Sequence, residues 1–356
     1  MLKYTHKVVY LGIDVHKKTY AVTAICEGQV VKKDTLKADG SFLLSYCKKY
    51  FPEAQIQTAY EAGFSGFHLH RYLEENGIKN MVVHAAGIEI ASGNRIKTDK
   101  RDSLRLATQL SVGRLKGIFV PSKEREDARA VTRLRESFVR KRSSVGSQIK
   151  ALLFQHGLIP YYSEQKTSSK WIQSLAAREF PSGLRLAIHQ YVDLWLEFDE
   201  RIDKIEQQMA CQAQQEGELE LLYRSVPGIG PIAARTLANE LGDMTQFKNE
   251  GQIFSYAGLT PSEYSSGEHI RQGHISRQGK PILRRILVQA AWVAIRKDND
   301  LAQIYDRISA KAGCKKAIVA IARRLIGRIR ACIRTGNLYT LRREIILDKT
   351  APAVTS

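Results

Sequence analysis

The stretch Val8-Val9-Tyr10-Leu11-Gly12-Ile13-Asp14-Val15 is an apolar run that reaches an aspartate near its end. An apolar run of this length predicts a strand buried on both faces, with Asp14 delivered at its C-terminal end. A second strand-like run, Gln55-Ile56-Gln57-Thr58-Ala59-Tyr60, ends in the same way on Glu61. Further on, Thr98-Asp99-Lys100-Arg101-Asp102-Ser103-Leu104-Arg105-Leu106-Ala107 has helical spacing, with Asp99 and Asp102 three residues apart. Residues at i and i+3 share a helix face, so both carboxylates can point at one spot. Carboxylate oxygens suit hard divalent cations, and paired cations can clamp the attacking and leaving oxygens of a phosphodiester. Taken singly, each acid also has a bland reading as a solvated surface group, and Asp99 has one as a helix N-cap.

The elements around these acids alternate. Val8–Val15, Tyr20–Cys26 and Val30–Leu36 read as three successive strands with Gly28 in the second turn. Ser41–Tyr50 reads as a helix, the strand ending at Glu61 follows, and Gly66–Glu75 is a helix closed by Asn76-Gly77. Met81-Val82-Val83 is a short fifth strand, and a helix from about Lys100 to Leu110 completes the set. Three strands, a helix, then alternating strands and helices is the element order of a ribonuclease-H-like fold. In that order the first strand, the fourth strand and the last helix carry acids, which is where Asp14, Glu61, Asp99 and Asp102 fall.

The 356 residues leave room for two or three domains, and 44% hydrophobic with 26% charged residues is a soluble globular composition. A net charge of +19 and a pI near 9.7 favour a polyanionic partner. Five scattered cysteines (Cys26, Cys47, Cys211, Cys314, Cys332) have neither zinc-site spacing nor a disulfide pattern. With no apolar leader or membrane-length run, the expectation is a reduced, cytoplasmic protein.

Residues 1–118 form the first expected domain. From 119 to 216 the pattern is helical: Arg125–Gln155 and Leu184–Gln215 carry apolar residues every three or four positions. The stripe Val192, Trp195, Phe198, Ile202, Ile205 and Met209 predicts packing, within the chain or across a dimer, and this segment is expected to be a helical, coiled-coil-like spacer. Residues 217–345 form a mainly α C-terminal domain, and 346–356 an expected disordered tail. The third segment opens on Ser225-Val226-Pro227-Gly228-Ile229-Gly230-Pro231, which is similar to a helix-hairpin-helix turn whose backbone N–H groups, around Gly228 and Gly230, meet a DNA phosphate. From Arg271 to Arg343 eighteen basic residues face only three aspartates, an imbalance that an ordinary solvated face lacks. Arg271, Arg277, Lys280, Arg284 and Arg285 lead this run and are candidate nucleic-acid contacts. Between them and the glycine turn lies Tyr256-Ala257-Gly258-Leu259-Thr260-Pro261-Ser262-Glu263-Tyr264-Ser265-Ser266-Gly267, by itself a polar loop with no evident local base.

Taken together, the chain resembles the DEDD transposases of insertion-sequence family 110. The resemblance rests on Leu11-Gly12-Ile13-Asp14-Val15-His16-Lys17, Tyr60-Glu61-Ala62 and Lys97-Thr98-Asp99-Lys100-Arg101-Asp102 at the front. At the back it rests on Pro227-Gly228-Ile229-Gly230, Tyr256-Ala257-Gly258-Leu259-Thr260-Pro261, Ser265-Ser266-Gly267 and Ile275-Ser276-Arg277-Gln278-Gly279. It implies a RuvC-like domain holding magnesium (Mg2+), or manganese (Mn2+) in its place, on Asp14, Glu61, Asp99 and Asp102. It implies a nucleophilic serine, best matched by Ser266 with Ser265 as the neighbour to test. It also implies donor and target DNA as substrates, a non-coding guide RNA, and a homo-oligomer, dimer or tetramer, in which the acids of one subunit meet the serine of another. The alternative is a RuvC-like structure-specific endonuclease that only hydrolyses DNA, and a third class is a non-catalytic nucleic-acid-binding protein on the same scaffold.

Overall fold

A computed structural model describes residues 4–89, 99–160, 165–215, 217–263 and 272–341. The chain divides into two units, Met1–Pro121 and Ser122–Ser356.

The first unit is built on a five-stranded sheet. Its strands are β1 (Val8–Val15), β2 (Thr19–Cys26), β3 (Gln29–Lys37), β4 (Gln55–Glu61) and β5 (Lys79–Val83), in the spatial order β3-β2-β1-β4-β5. The β1–β2 and β2–β3 pairs are antiparallel, as short turns demand, whereas β1–β4 and β4–β5 are parallel and need helical crossovers. Those crossovers are α1 (Gly40–Tyr50) and α2 (His68–Glu75), and α3 (Asp99–Ser111) follows β5. Asp39 caps α1, its carboxylate accepting from the Ser41 amide at 2.7 Å.

Strand alternation sorts the sheet into two faces. Val9, Leu11 and Ile13 of β1, with Tyr60 and Val82, pack against Leu43 and Cys47 of α1 and Leu69 and Leu73 of α2. Ala59 and Val83 face the other way and join Leu106 and Leu110 of α3, with Tyr10 against them. Because β1 is covered on both faces its sequence is a nearly unbroken apolar run. The edge strand β3 instead carries Lys32, Lys33 and Lys37, charges that discourage pairing with another chain. The strands and helices expected in this unit are all present, with ends moved by a residue or two.

The second unit is helical apart from one small hairpin. Helices α4 (Lys123–Gln155) and α6 (Ser182–Gln215) pair antiparallel: Arg135 meets Glu206, Phe138 meets Phe198 with ring centroids 5.6 Å apart, and Arg142 meets Asp199. Val192 and Trp195 of the predicted stripe lie in a buried cluster with Val145, Ile149 and Leu153. Between them the structure adds a helix not anticipated from sequence, α5 (Ser169–Ala176). It is too short for a clear periodicity, and its stability comes from the Ser168 cap and from burying Ile172 and Leu175 against the α4–α6 pair.

Helices α7 (Gly217–Arg224), α8 (Pro231–Leu241), α9 (Glu250–Ala257), α10 (Pro281–Lys297), α11 (Asn299–Ala312) and α12 (Cys314–Thr335) then share one core that includes Tyr223, Leu237, Ile253, Leu287 and Leu325. Strands β6 (Pro261–Glu263) and β7 (Gln272–Ile275) form an antiparallel hairpin between α9 and α10. Arg125 and Arg129 of α4 donate to the carbonyls of Ala238, Asn239 and Glu240, which closes the C-terminal end of α8. The Glu240 carboxylate, 1% exposed, accepts from Arg133 at 2.9 Å. Among the described residues no helix is long and apolar enough to cross a membrane. All five cysteines are free thiols.

Candidate functional site

The carboxylate positions follow from strand register. Gly12 pairs with Ala59 and Ile13 with Tyr60 in parallel alignment, so the next residues, Asp14 and Glu61, occupy neighbouring strand ends. Both belong to the face covered by α3, because side chains two apart in a strand share a face. Gly12 leads Asp14 by two and Ala59 leads Glu61 by two. A Cβ built on Gly12 would lie 2.1 Å from the Ser103 carbonyl oxygen and 2.3 Å from the Ala107 amide nitrogen, so only glycine lets α3 lie this close. The buried hydroxyls of Thr23 and Ser103, 2.9 Å apart, pin the same contact.

Tyr10, earlier in β1, packs with the cluster holding Leu106 and Leu110, later in α3. The helix therefore runs against β1, and its first turn, with Asp99 and Asp102, heads toward the Asp14 end. Asp99 is the first residue of α3, and its side chain lies outside the described residues.

Two of the acids have basic side chains beside them. Asp14 Oδ2 is 3.1 Å from His16 Nε2, and Asp102 Oδ1 is 3.0 Å from an Arg105 guanidinium nitrogen. Glu61 is exposed at its strand end. Among the described residues no three His, Cys, Asp or Glu side chains are gathered closely enough to hold a metal ion. The donor chemistry nevertheless fits a hard divalent cation, since aspartate and glutamate supply only oxygen ligands. His16 neighbours Asp14 as a polar partner, and His70 is taken up by Asn80 at 2.9 Å.

In the second unit the glycine turn joins α7 to α8. Gly228 has φ +85°, and a Cβ there would meet the Cα and carbonyl oxygen of Ala290 and Val293 Cβ, each at 2.8 Å. Gly230 caps α8 by its backbone alone, with Pro231 following, and nothing lies within 4 Å of where its Cβ would be. Gly228 is thus demanded by packing on α10, while the outer side of the turn stays exposed.

The basic candidates separate. Arg284 donates to the Ala257 carbonyl at 3.2 Å, and Arg285 pairs with Glu136 of α4, so both already serve the unit's own packing. Lys280 is partly buried, and that burial pushes its ammonium pKa down. Arg277 is exposed, with φ +56°. Arg271, Ser265 and Ser266 lie outside the described residues, in the connection between β6 and β7. The base of that hairpin is fixed by the Ser276 amide donating to Thr260 at 2.8 Å and the Lys280 amide donating to Tyr256 at 2.9 Å.

A transposase model for the IS110 DEDD group matches residues 11–157, spanning all four acids. A second, described as the Transposase IS116/IS110/IS902 family, matches residues 221–306, spanning the glycine turn and the β6–β7 hairpin. The transposase for insertion sequence element IS1533 of Leptospira borgpetersenii is 25% identical, over 80% of this chain and 84% of its own. The transposase for insertion sequence element IS1111A of Coxiella burnetii is 26% identical, over 68% of this chain and 64% of its own. A Sinorhizobium fredii protein, y4rJ, named as a candidate transposase, is 27% identical over 89% of this chain and 90% of its own. The chain belongs to the IS110-type family of DEDD transposases.

Proposed function

We propose that this protein cuts and rejoins DNA strands during transposition of an insertion sequence, using a ribonuclease-H-like (RuvC-like) domain with a DEDD site and a serine nucleophile. The observation that carries the reading is the alignment of Asp14 with Glu61 at adjacent ends of parallel strands, on the face that α3 covers with its acidic first turn leading toward them. The order of the five strands, three antiparallel and then two added in parallel, supports the ribonuclease-H-like assignment.

Asp14, Glu61, Asp99 and Asp102 would hold magnesium, or manganese in its place, and the bound ion would polarise the scissile phosphate and neutralise the leaving oxygen. The Ser266 hydroxyl, losing its proton, attacks phosphorus. The phosphorus–O3′ bond breaks, leaving a free 3′ hydroxyl and a 5′-phosphoserine ester. Attack on that ester by the 3′ hydroxyl of another strand restores the serine, so the phosphodiester energy is conserved and no nucleotide hydrolysis is needed. His16 and Arg105 orient the carboxylates of Asp14 and Asp102. The α7–α8 turn acts as a helix-hairpin-helix element on phosphates. Residues 119–216 serve as a helical spacer between the catalytic domain at 1–118 and the transposase domain at 217–345. A non-coding RNA guides the choice of donor and target, and the working form is a cytoplasmic homo-oligomer, dimer or tetramer.

The test is covalent trapping on a nicked DNA substrate resolved in denaturing gels. The expected result is a protein–DNA adduct that Ser266→Ala abolishes and Ser265→Ala leaves, with Asp14→Asn and Asp102→Asn lacking cleavage altogether. Cleavage that persists in both serine variants would instead assign a hydrolytic endonuclease. Acid variants with full activity would assign a non-catalytic scaffold.

A further inference from the structure

The outward side of α10 carries an exposed aromatic residue one turn before the exposed cations Arg296 and Lys297. Gln289, Trp292 and Arg296 are spaced i, i+3 and i+7, which places them on one helix face, and all three are exposed. Trp292 is 41% exposed, a large apolar area to leave in water. Its indole meets Tyr305 of α11 edge to face, with ring centroids 5.7 Å apart and planes at 62°, so the ring is held from one side. Arg296 donates to the Trp292 backbone carbonyl at 3.0 Å, one turn further along the same face.

Charge decides what such a face can receive. Residues 281–335 hold thirteen Lys and Arg against three Asp. Arg284, Arg285 and Arg328 are engaged within the fold, whereas Arg296 and Lys297 of α10 and Arg307 and Lys311 of α11 are exposed. A second copy of this chain would bring the same positive face and be repelled. A polyanion would be attracted. An indole cannot reach bases stacked inside a duplex, whereas it can stack on one that is unpaired.

We infer that the α10 face, with Trp292 as the stacking platform and Arg296 on the same helix face, binds an unpaired stretch of DNA. This rests on the strand-exchange reading above, since cutting and rejoining expose single-stranded DNA between the two events. It adds to that reading the form of DNA held and the residue that holds it.

The experiment measures binding of the full chain to a short mixed-sequence oligonucleotide as single-stranded DNA, as RNA and as duplex DNA, by fluorescence anisotropy across a salt series. Wild type should bind the single strand with quenching of tryptophan emission. Trp292→Ala should weaken single-strand binding about 10-fold, within the range for loss of one stacked base, while Trp292→Phe keeps most of the affinity. Duplex binding should be unchanged in both variants. Arg296→Gln should reduce the log–log salt slope for the single strand by about 0.7. A thermal melt of each variant checks that the fold is intact. Single-strand binding by Trp292→Ala equal to wild type overturns this inference alone. So does a tighter, Trp292-dependent preference for RNA, or a self-association that Trp292→Ala dissolves with DNA binding untouched. Failure of wild type to bind any of the three ligands overturns both this inference and the transposition reading.

Discussion

Replacing Gly12 with alanine adds one methyl group, yet it should test the geometry of the whole carboxylate site. The new Cβ would sit 2.1 Å from the Ser103 carbonyl oxygen and 2.3 Å from the Ala107 amide nitrogen. Both are backbone atoms in the middle of α3, so no side chain can swing aside. Restoring ordinary contact at 3.4 Å asks the helix to retreat by about 1.3 Å. That movement would also part the Thr23 and Ser103 hydroxyls, now 2.9 Å apart and buried, and so break a buried hydrogen bond. Overpacking costs about 1–3 kcal/mol, and the lost hydrogen bond places Gly12→Ala near the top of that range. For a unit of this size such a loss should lower the melting temperature by roughly 10 °C.

The functional consequence is separable. Asp102 moves with α3 and Asp14 stays with β1, and a misplacement of about 1 Å between catalytic groups costs on the order of 100-fold in rate. The assay is DNA strand cleavage measured well below the variant's melting temperature, beside Gly87→Ala as a control whose Cβ would meet nothing within 4 Å. Gly12→Ala melting and cleaving like wild type would refute the close seating of α3 on β1. Lower stability with undiminished cleavage would leave the packing standing and refute the convergence of the acids.

The remaining predictions concern the second unit and the thiols. Glu240→Ala strips the buried acid from between Arg129 and Arg133, and with Arg133 half exposed the loss should be about 3 kcal/mol, read as a lower denaturation midpoint. Gly228→Ala combines a strained left-handed backbone with contacts at 2.8 Å and should destabilise by about 2 kcal/mol, whereas Gly230→Ala, with open space around it, should change stability by well under 1 kcal/mol. In native protein at pH 8, alkylation followed by mass spectrometry should label the exposed Cys211 and Cys314 first. Cys47, whose thiol is pushed up to about 12 by burial, should stay protonated and react only after unfolding, and equal labelling of all five would contradict the packing of α1.

How much of this was legible in the sequence depends on whether the signal was local. The strand ending at Asp14 could be read because burial on both faces writes an apolar run, and Asn76-Gly77 could be read as a stop because Gly77 takes φ +75°. The antiparallel seating of α4 on α6 was implicit in the stripe through Val192 and Trp195, and both are buried as expected. What could not be read was which glycine mattered and why. Gly12 sits in a strand, where glycine ordinarily weakens pairing, and its purpose appears only once α3 is brought over it from ninety residues away. The arginines failed for a related reason. Arg284 and Arg285 look like the rest of the basic run, but their partners, the Ala257 carbonyl and Glu136, are distant in sequence. Composition gives the sign of a surface and not which of its charges are already spent on the fold.

The same distinction explains why Trp292 escaped notice while Trp195 drew it. Trp195 belongs to a long apolar stripe and so announces a helix that packs. Trp292 stands with Gln289 and Arg296, a pattern that reads as an ordinary polar helix face carrying one stray aromatic. Its meaning depends on three-dimensional packing: Tyr305, from the next helix, braces one side of the ring. A stray aromatic left exposed for no purpose would be free to become polar, and Trp292→Gln would then be silent in every assay. The stacking argument requires otherwise. Trp292→Gln should match Trp292→Ala in weakening single-stranded DNA by about 10-fold, since glutamine restores polarity and bulk and does not restore a ring. A glutamine variant that binds like wild type would show that side-chain volume, not the aromatic face, is what the site uses.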